Sequence, residues 1–379
     1  MIAIPGTIVW YPQLLALQFI GGLSFASLFW KLNKFIAIFL AYLVFSYIYV
    51  TGATPRSLMC LMIGYAAISL TLITSKLKSD DLKLVYRCLI GISLLSIAYS
   101  ISQFFGYDPI FKSMFGGKED VVSFMGSHNQ LGIYSSANAF WSTWCIPMAI
   151  IPIFFAKCNS AMIGLISGSC VYLYFKFNKK VLRDVVVLIA ILLIPWWHFC
   201  HKGSGELNER FNIWKLTLSQ LFHGRIDSCD LSGKKEVIRA TPLFGFGLGD
   251  FFVFSPFSQY KMWGFKDTEI YQGGNPNGKI QHFYEHAHND SIEALFEFGY
   301  VGFFIIMLII ISVVMVFIRS SKTDGIVLTF SSLVAQSVSS FSVYVFHAPV
   351  SLFMFCLTLG LFFAEVSNEK QSKIKPITA

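Results

Sequence analysis

The residues with most chemistry to offer are packed into nine positions, His282-Phe283-Tyr284-Glu285-His286-Ala287-His288-Asn289-Asp290. An apolar run begins directly after them. An imidazole titrates near neutrality and can accept a proton, hold an anion or ligate a metal. A helix starting near Asp290 would present unpaired N–H groups and the positive end of its dipole beside His288. That geometry suits a phosphate and makes His288 a candidate general base or anion ligand. A plainer reading uses the same residues, with Asp290 as N-cap and Glu293 closing a capping box. The two readings are compatible, because a capped helix start can also carry a site. His282, His286 and His288 form a loose zinc pattern, but no cysteine pair completes it. The expectation is therefore a site without metal or other cofactor.

Four further segments carry polar groups. Glu209-Arg210-Phe211-Asn212-Ile213-Trp214 offers an arginine, whose planar fork can grip phosphate oxygens in pairs. A lone arginine on an amphipathic loop helix is more commonly a solvated charge, and Arg225 and Arg239 read that way. In Thr241 to Phe251, Gly245, Gly247 and Gly249 alternate with large apolar residues. No strand is expected before this stretch, and no lysine completes a phosphate loop. It reads as backbone packed close against a membrane or a lipid chain, beside the site. Phe124 to Gln130 brings His128 and Asn129 to the start of an apolar stretch. Ser339 to Pro349, with His347, is a polar turn between the last two apolar runs.

The elements that must position these groups are membrane helices. The chain is 55% hydrophobic and 13% charged, with 39 phenylalanines, whereas a soluble domain carries about 25% charge. Spans of about 20 apolar residues fall near 8–30, 35–51, 57–75, 83–104, 131–155, 160–177, 183–200, 291–318, 325–344 and 347–365. The runs are continuous, without the alternation of a barrel. The expected architecture is a single all-α membrane domain over 1–379, with about 9–11 spans. One large polar loop covers 201–290 and a smaller one 106–128. The net charge of +8 lies in short clusters between spans and points to loop orientation, not to nucleic acid. The N-terminus lacks a basic region and a cleavage site, so no removable signal peptide is expected. Cys200 and Cys229 flank or occupy the large loop and would form a disulfide in an oxidising compartment. The other six cysteines lie in or beside apolar segments as small hydrophobes.

Charge bias also orients the spans. Lys31/Lys34 and Lys76/Lys78/Lys83/Arg87 mark two cytoplasmic connections. Lys176/Lys179/Lys180/Arg183, Arg319/Lys322 and Lys370/Lys373/Lys375 mark others, of opposite parity. An odd number of crossings must therefore lie between 105 and 176. Either 128–176 forms three short helices, or it crosses once with a re-entrant piece, broken at Pro147 or Pro152. Both repairs put the large loop outside the cytoplasm and the C-terminus inside it.

Together these segments resemble the O-antigen ligase and polymerase superfamily of bacterial envelope glycosyltransferases, from about 120 to 365 and in the family's order. The matches are Gly126-Ser127-His128-Asn129 leading into a helix, Arg210 and Trp214, and Pro242 through Phe251 with Gly245 and Gly247. The most specific are Ala287-His288-Asn289-Asp290 and Glu297-Phe298-Gly299-Tyr300-Val301-Gly302. The family usually carries a Ser-Arg pair on a middle helix. Asn159-Ser160-Ala161-Met162 stands at the best-aligned place, without the arginine, and Lys157 is the nearby cation.

The resemblance implies transfer of a glycan from an undecaprenyl-pyrophosphate carrier to a hydroxyl, with no metal or nucleotide sugar. His288 would be the catalytic base. Arg210, Lys157 and His286 would bind the donor pyrophosphate, supported by Asn289, Glu293, His128, Asn129, Gly245 and Gly247. It also implies a bacterial inner-membrane location. The acceptor would be a glycan or a lipid-A-core type sugar, as in a polymerase or ligase, with a protein oligosaccharyltransferase as a third form. Competing readings are a transporter or flippase of envelope glycolipid, and a catalytically silent homologue. Transporters place ionisable groups near the midplane, whereas here they gather at span ends.

Overall fold

A computed structural model describes residues 34–50, 55–108, 121–125, 127–177, 205–229, 235–239, 241–249, 251, 287–341 and 343–374. The spans expected at 8–30 and 183–200, and Cys200, lie outside these residues. The described chain is all-α apart from one short hairpin. Its helices are α1 (Lys34–Phe45, continued by a π-turn to Val50), α2 (Pro55–Thr74), α3 (Ser79–Phe104), α4 (His128–Asn138), α5 (Cys145–Phe155) and α6 (Asn159–Lys176). Then follow α7 (Gly205–His223), α8 (Asp290–Arg319), α9 (Asp324–Ser339) and α10 (Pro349–Ile374). Two strands, β1 (Arg225–Cys229) and β2 (Lys235–Arg239), pair antiparallel within the large polar loop. Four helices are long and apolar enough to cross a membrane: Ser57–Thr74, Ser79–Phe104, Asp290–Arg319 and Pro349–Lys373. Their exposed Leu95, Phe304, Ile311 and Ile318 fit an apolar solvent.

The chain divides into two compact units. The first comprises 1–30, 66–202 and 314–379, the second 31–65 and 203–313. The first unit is built around α6 and α9, which run antiparallel. Gly164 lies against Ser339 and Ala335, and Gly168 against Ser331 and Phe140. A Cβ at Gly168 would stand 2.6 Å from both the Ser331 carbonyl and the Phe140 ring, so small residues let these backbones touch. Ser339 Oγ donates to Ser160 O at 3.1 Å at one end. Lys176 pairs with Asp324 at the other.

The stretch where charge parity requires an odd number of crossings lies inside this unit. α4 starts beside the start of α6, where Cys158 Sγ donates to Asn129 O at 3.8 Å. It runs parallel to α6 only as far as Phe140, against Gly168. After a turn at Ser142, in extended backbone (φ −158°, ψ 151°), α5 returns, and Phe155 stacks on Phe104 at 4.1 Å. Each arm is 11 residues, about 16 Å at 1.5 Å per residue, half the hydrocarbon thickness. The stretch 128–158 thus forms two short antiparallel arms, and with α6 the stretch 128–176 holds three helices. The break is not at the prolines. Pro147 sits in the first turn of α5, where no N–H is needed. Pro152 lies inside α5, and the chain reverses before either.

The same unit gathers cation-bearing helix ends. Tyr86 donates to Glu365 at 3.0 Å and Asn368 Nδ2 to Leu77 O at 3.0 Å, tying the end of α10 to the start of α3. Lys322 donates to Ile318 O at 3.2 Å and Ser320 O at 2.7 Å. Its ammonium lies 4.4 Å from the Phe317 ring centroid. A cation there answers the negative end of the α8 dipole, while burial pulls its pKa below the usual lysine value.

Candidate functional site

The second unit holds the segments singled out for chemistry. On α7, Ile213, Thr217 and Leu221 are buried at helical spacing. Arg210 and Trp214, one turn apart, are half-buried on the adjoining face. Trp214 Nε1 donates to Ala287 O at 2.6 Å. That bond brings the α7 face carrying Arg210 to the histidine segment, since residues four apart on a helix are neighbours.

Ala287 is fully buried and packs with Ile213, Phe246, Phe251 and Phe296. Its N–H donates to Glu293 Oε2 at 3.0 Å. His288 follows with φ 51°, in the left-handed region that L residues rarely adopt. α8 then begins, but its cap is Asn289 and not Asp290. Asn289 Oδ1 accepts from Ser291 N at 3.0 Å and Ile292 N at 3.1 Å, and Asn289 O accepts the first helical bond from Glu293 N. The expected cap was one residue late because asparagine and aspartate cap about equally well. The shift moves Glu293 one place further into the helix. Its carboxylate passes the cap and reaches residue 287, so no capping box closes.

The glycine-rich stretch departs from expectation in that a strand, β2, ends just before it. It lies against the backbone of α8. α8 is interrupted at Gly299 (φ 61°, ψ −167°), which breaks the helical bonds to the carbonyls of 296, 297 and 298. Every freed group finds a partner. Phe246 N donates to Phe296 O and Gly247 N to Glu297 O, both at 2.9 Å. Tyr300 N donates to Pro242 O and Val301 N to Leu243 O, both at 3.0 Å. The Tyr42 hydroxyl from α1 donates to Phe298 O and accepts from Gly302 N–H. Gly245 (φ 76°) faces Gly299 so closely that a Cβ on Gly245 would stand 2.5 Å from the Gly299 nitrogen.

Glu297 is buried like Glu293 (1% exposed each), and carboxylate oxygens of the two lie within 4.8 Å. Each is engaged by a backbone donor, Glu297 by Phe251 N at 3.4 Å. The two glutamates therefore organise the histidine segment and the end of the glycine-rich stretch.

The second unit thus brings together Gly245, Gly247, His288, Asn289 and Glu293 around α8, and holds Arg210 one turn from Trp214 on α7. The first holds His128, Asn129 and Lys157. In that unit Asn129 and the turn carrying Lys157 (φ 50°) meet through Cys158. Ser351 Oγ donates to Gln130 Oε1, adding the start of α10 to the same end. His282 and His286, and with them the zinc pattern, lie outside the described residues. Sequence reasoning missed Tyr42 and the anchoring role of Glu297. A tyrosine within an apolar run was the available signal, because a buried phenol requires a partner.

These features define a multi-pass helical membrane protein with a polar cluster at a helix start. No family model matches the sequence, and no curated protein matches it.

Proposed function

We propose that the protein transfers a glycan from an undecaprenyl-pyrophosphate-linked donor to a hydroxyl acceptor, as an O-antigen ligase or polymerase does. The observation that carries this reading is the Trp214–Ala287 bond, which joins the α7 face bearing Arg210 to the segment bearing His288. The order of motifs that resembles the superfamily supports it as well. The large loop would lie outside the cytoplasm and the C-terminus within it.

In this chemistry the imidazole of His288 accepts the acceptor hydroxyl's proton as that oxygen attacks the anomeric carbon. The bond from that carbon to the pyrophosphate oxygen breaks, and the lipid pyrophosphate leaves with the electron pair. Arg210 neutralises the charge that develops on it, which lowers the barrier. The imidazolium then passes its proton to solvent or product phosphate. The positive end of α8, beside His288, favours the same anion.

The test is complementation of a strain lacking its own transferase. His288→Ala should reach the membrane at normal level and lose about 10²–10⁴-fold in transfer. Normal glycan display by that variant would overturn the mechanism.

A second reading, a glycolipid flippase, draws on the interruption of α8, since discontinuous helices are common in transporters. Purified protein in detergent separates the two. A transferase joins donor to acceptor without a bilayer, and a flippase makes no product there.

A further inference from the structure

We propose that Glu293 and Trp214 are positioning residues for His288, acting on the two peptide groups of Ala287. The proposal rests on His288 as base and adds how that base is held. Residue 287 is fixed on three sides. Its methyl is buried among Ile213, Phe246, Phe251 and Phe296. Its N–H is held by the buried Glu293 carboxylate at 3.0 Å, and its carbonyl by the Trp214 indole at 2.6 Å. On the far side, Asn289 is fixed by capping two N–H groups of α8.

His288 is lodged between these anchors with φ 51°. Fixed backbone atoms fix the direction of the Cα–Cβ bond, so the base of the imidazole side chain inherits the order of its neighbours. A left-handed residue without such anchors relaxes toward the ordinary helical or extended regions and swings its Cβ away. Trp214 also lies one turn from Arg210, so one side chain sets the base and registers the cation's helix against it.

The experiment measures carbethoxylation of His288 by diethyl pyrocarbonate in the purified full-length protein, followed by peptide mass spectrometry. Trp214→Phe keeps an aromatic ring and loses the donor, and Glu293→Ala loses the acceptor. Each should speed modification about tenfold, the factor expected when one buried hydrogen bond stops holding the turn. Glu293→Gln keeps a carbonyl oxygen in place and should stay within about twofold of the unaltered protein. In a transfer assay Glu293→Ala should lower kcat about tenfold while the donor KM changes less than about twofold, and Trp214→Phe, which also registers the Arg210 helix, should lower kcat and raise the donor KM.

Unchanged modification rates in monodisperse Trp214→Phe and Glu293→Ala protein would overturn the proposal. Should Glu293→Ala fail to fold, Trp214→Phe decides alone. Transfer surviving in His288→Ala removes the base assignment, yet the modification rates still decide whether Glu293 and Trp214 hold residue 288. Loss of transfer in His288→Ala with unchanged modification rates retains the base and removes the clamp.

Discussion

Arg210 and His288 would divide the work between charge and proton. Arg210→Ala removes a cation from a leaving group, so donor KM should rise and kcat should fall, with membrane level unchanged. Arg210→Lys should recover part of the loss, because an ammonium supplies charge without the paired geometry. Steady-state kinetics with varied donor check both. At this scale the sequence showed which residues could act. His288, Asn289, Glu293 and Arg210 were legible because polar groups at the margin of an apolar run stand out. Their partners were less so. A choice between Asn289 and Asp290 as cap turns on backbone angles at one position, and either residue type would serve. Trp214 was legible as part of a motif, but its bond to a carbonyl 73 positions away leaves no local trace.

The interruption of α8 governs the element scale. Three broken helical bonds are replaced by the 242–247 stretch and by Tyr42. Tyr42→Phe would leave the Phe298 carbonyl and the Gly302 N–H buried without their hydroxyl. Stability should fall by about 3 kcal/mol, read as a lower unfolding midpoint in detergent. Gly245→Ala adds a left-handed Cβ and a clash with backbone at 297 and 299, and should cost about 3 kcal/mol or more. Its effect should exceed that of Gly91→Ala in α3, where a Cβ meets nothing within 4 Å. Most described helices were legible to within a few residues from apolar run length alone. The interruption was not, because Glu297 to Gly302 reads as one apolar helix and Gly299 as a tolerated glycine. Only the backbone of a distant loop makes that glycine necessary.

At the scale of the whole molecule, charge clusters beside the helix ends predict an orientation. Between 105 and 176, where the lysines and arginines require an odd number of crossings, the chain forms the two 11-residue arms α4 and α5 and then α6. That requirement was legible. The form was not, since the hydropathy of 131–155 resembles a full span and the reversal at Ser142 carries no proline. Cysteine labelling tests the orientation. In a cysteine-free background, Ser219→Cys on exposed α7 should react with an impermeant maleimide in whole cells. Thr323→Cys, between α8 and α9, should react only after permeabilisation. The reverse pattern would place the large loop in the cytoplasm and end the envelope reading.

The clasp at Gly299 also constrains biogenesis. The ribosome delivers 242–247 ahead of 296–301, by a few seconds at about 5–20 residues per second. Until both are present, the interruption at Gly299 has no partner for the peptide groups it opens. A helix with open peptide groups enters hydrocarbon at considerable cost. An α8 interrupted at Gly299 would therefore partition from the translocon into lipid at lower cost once the segment already synthesised has docked. Mutations that weaken the docking should first show as protein degraded by membrane quality control, before any defect in the finished molecule can be measured.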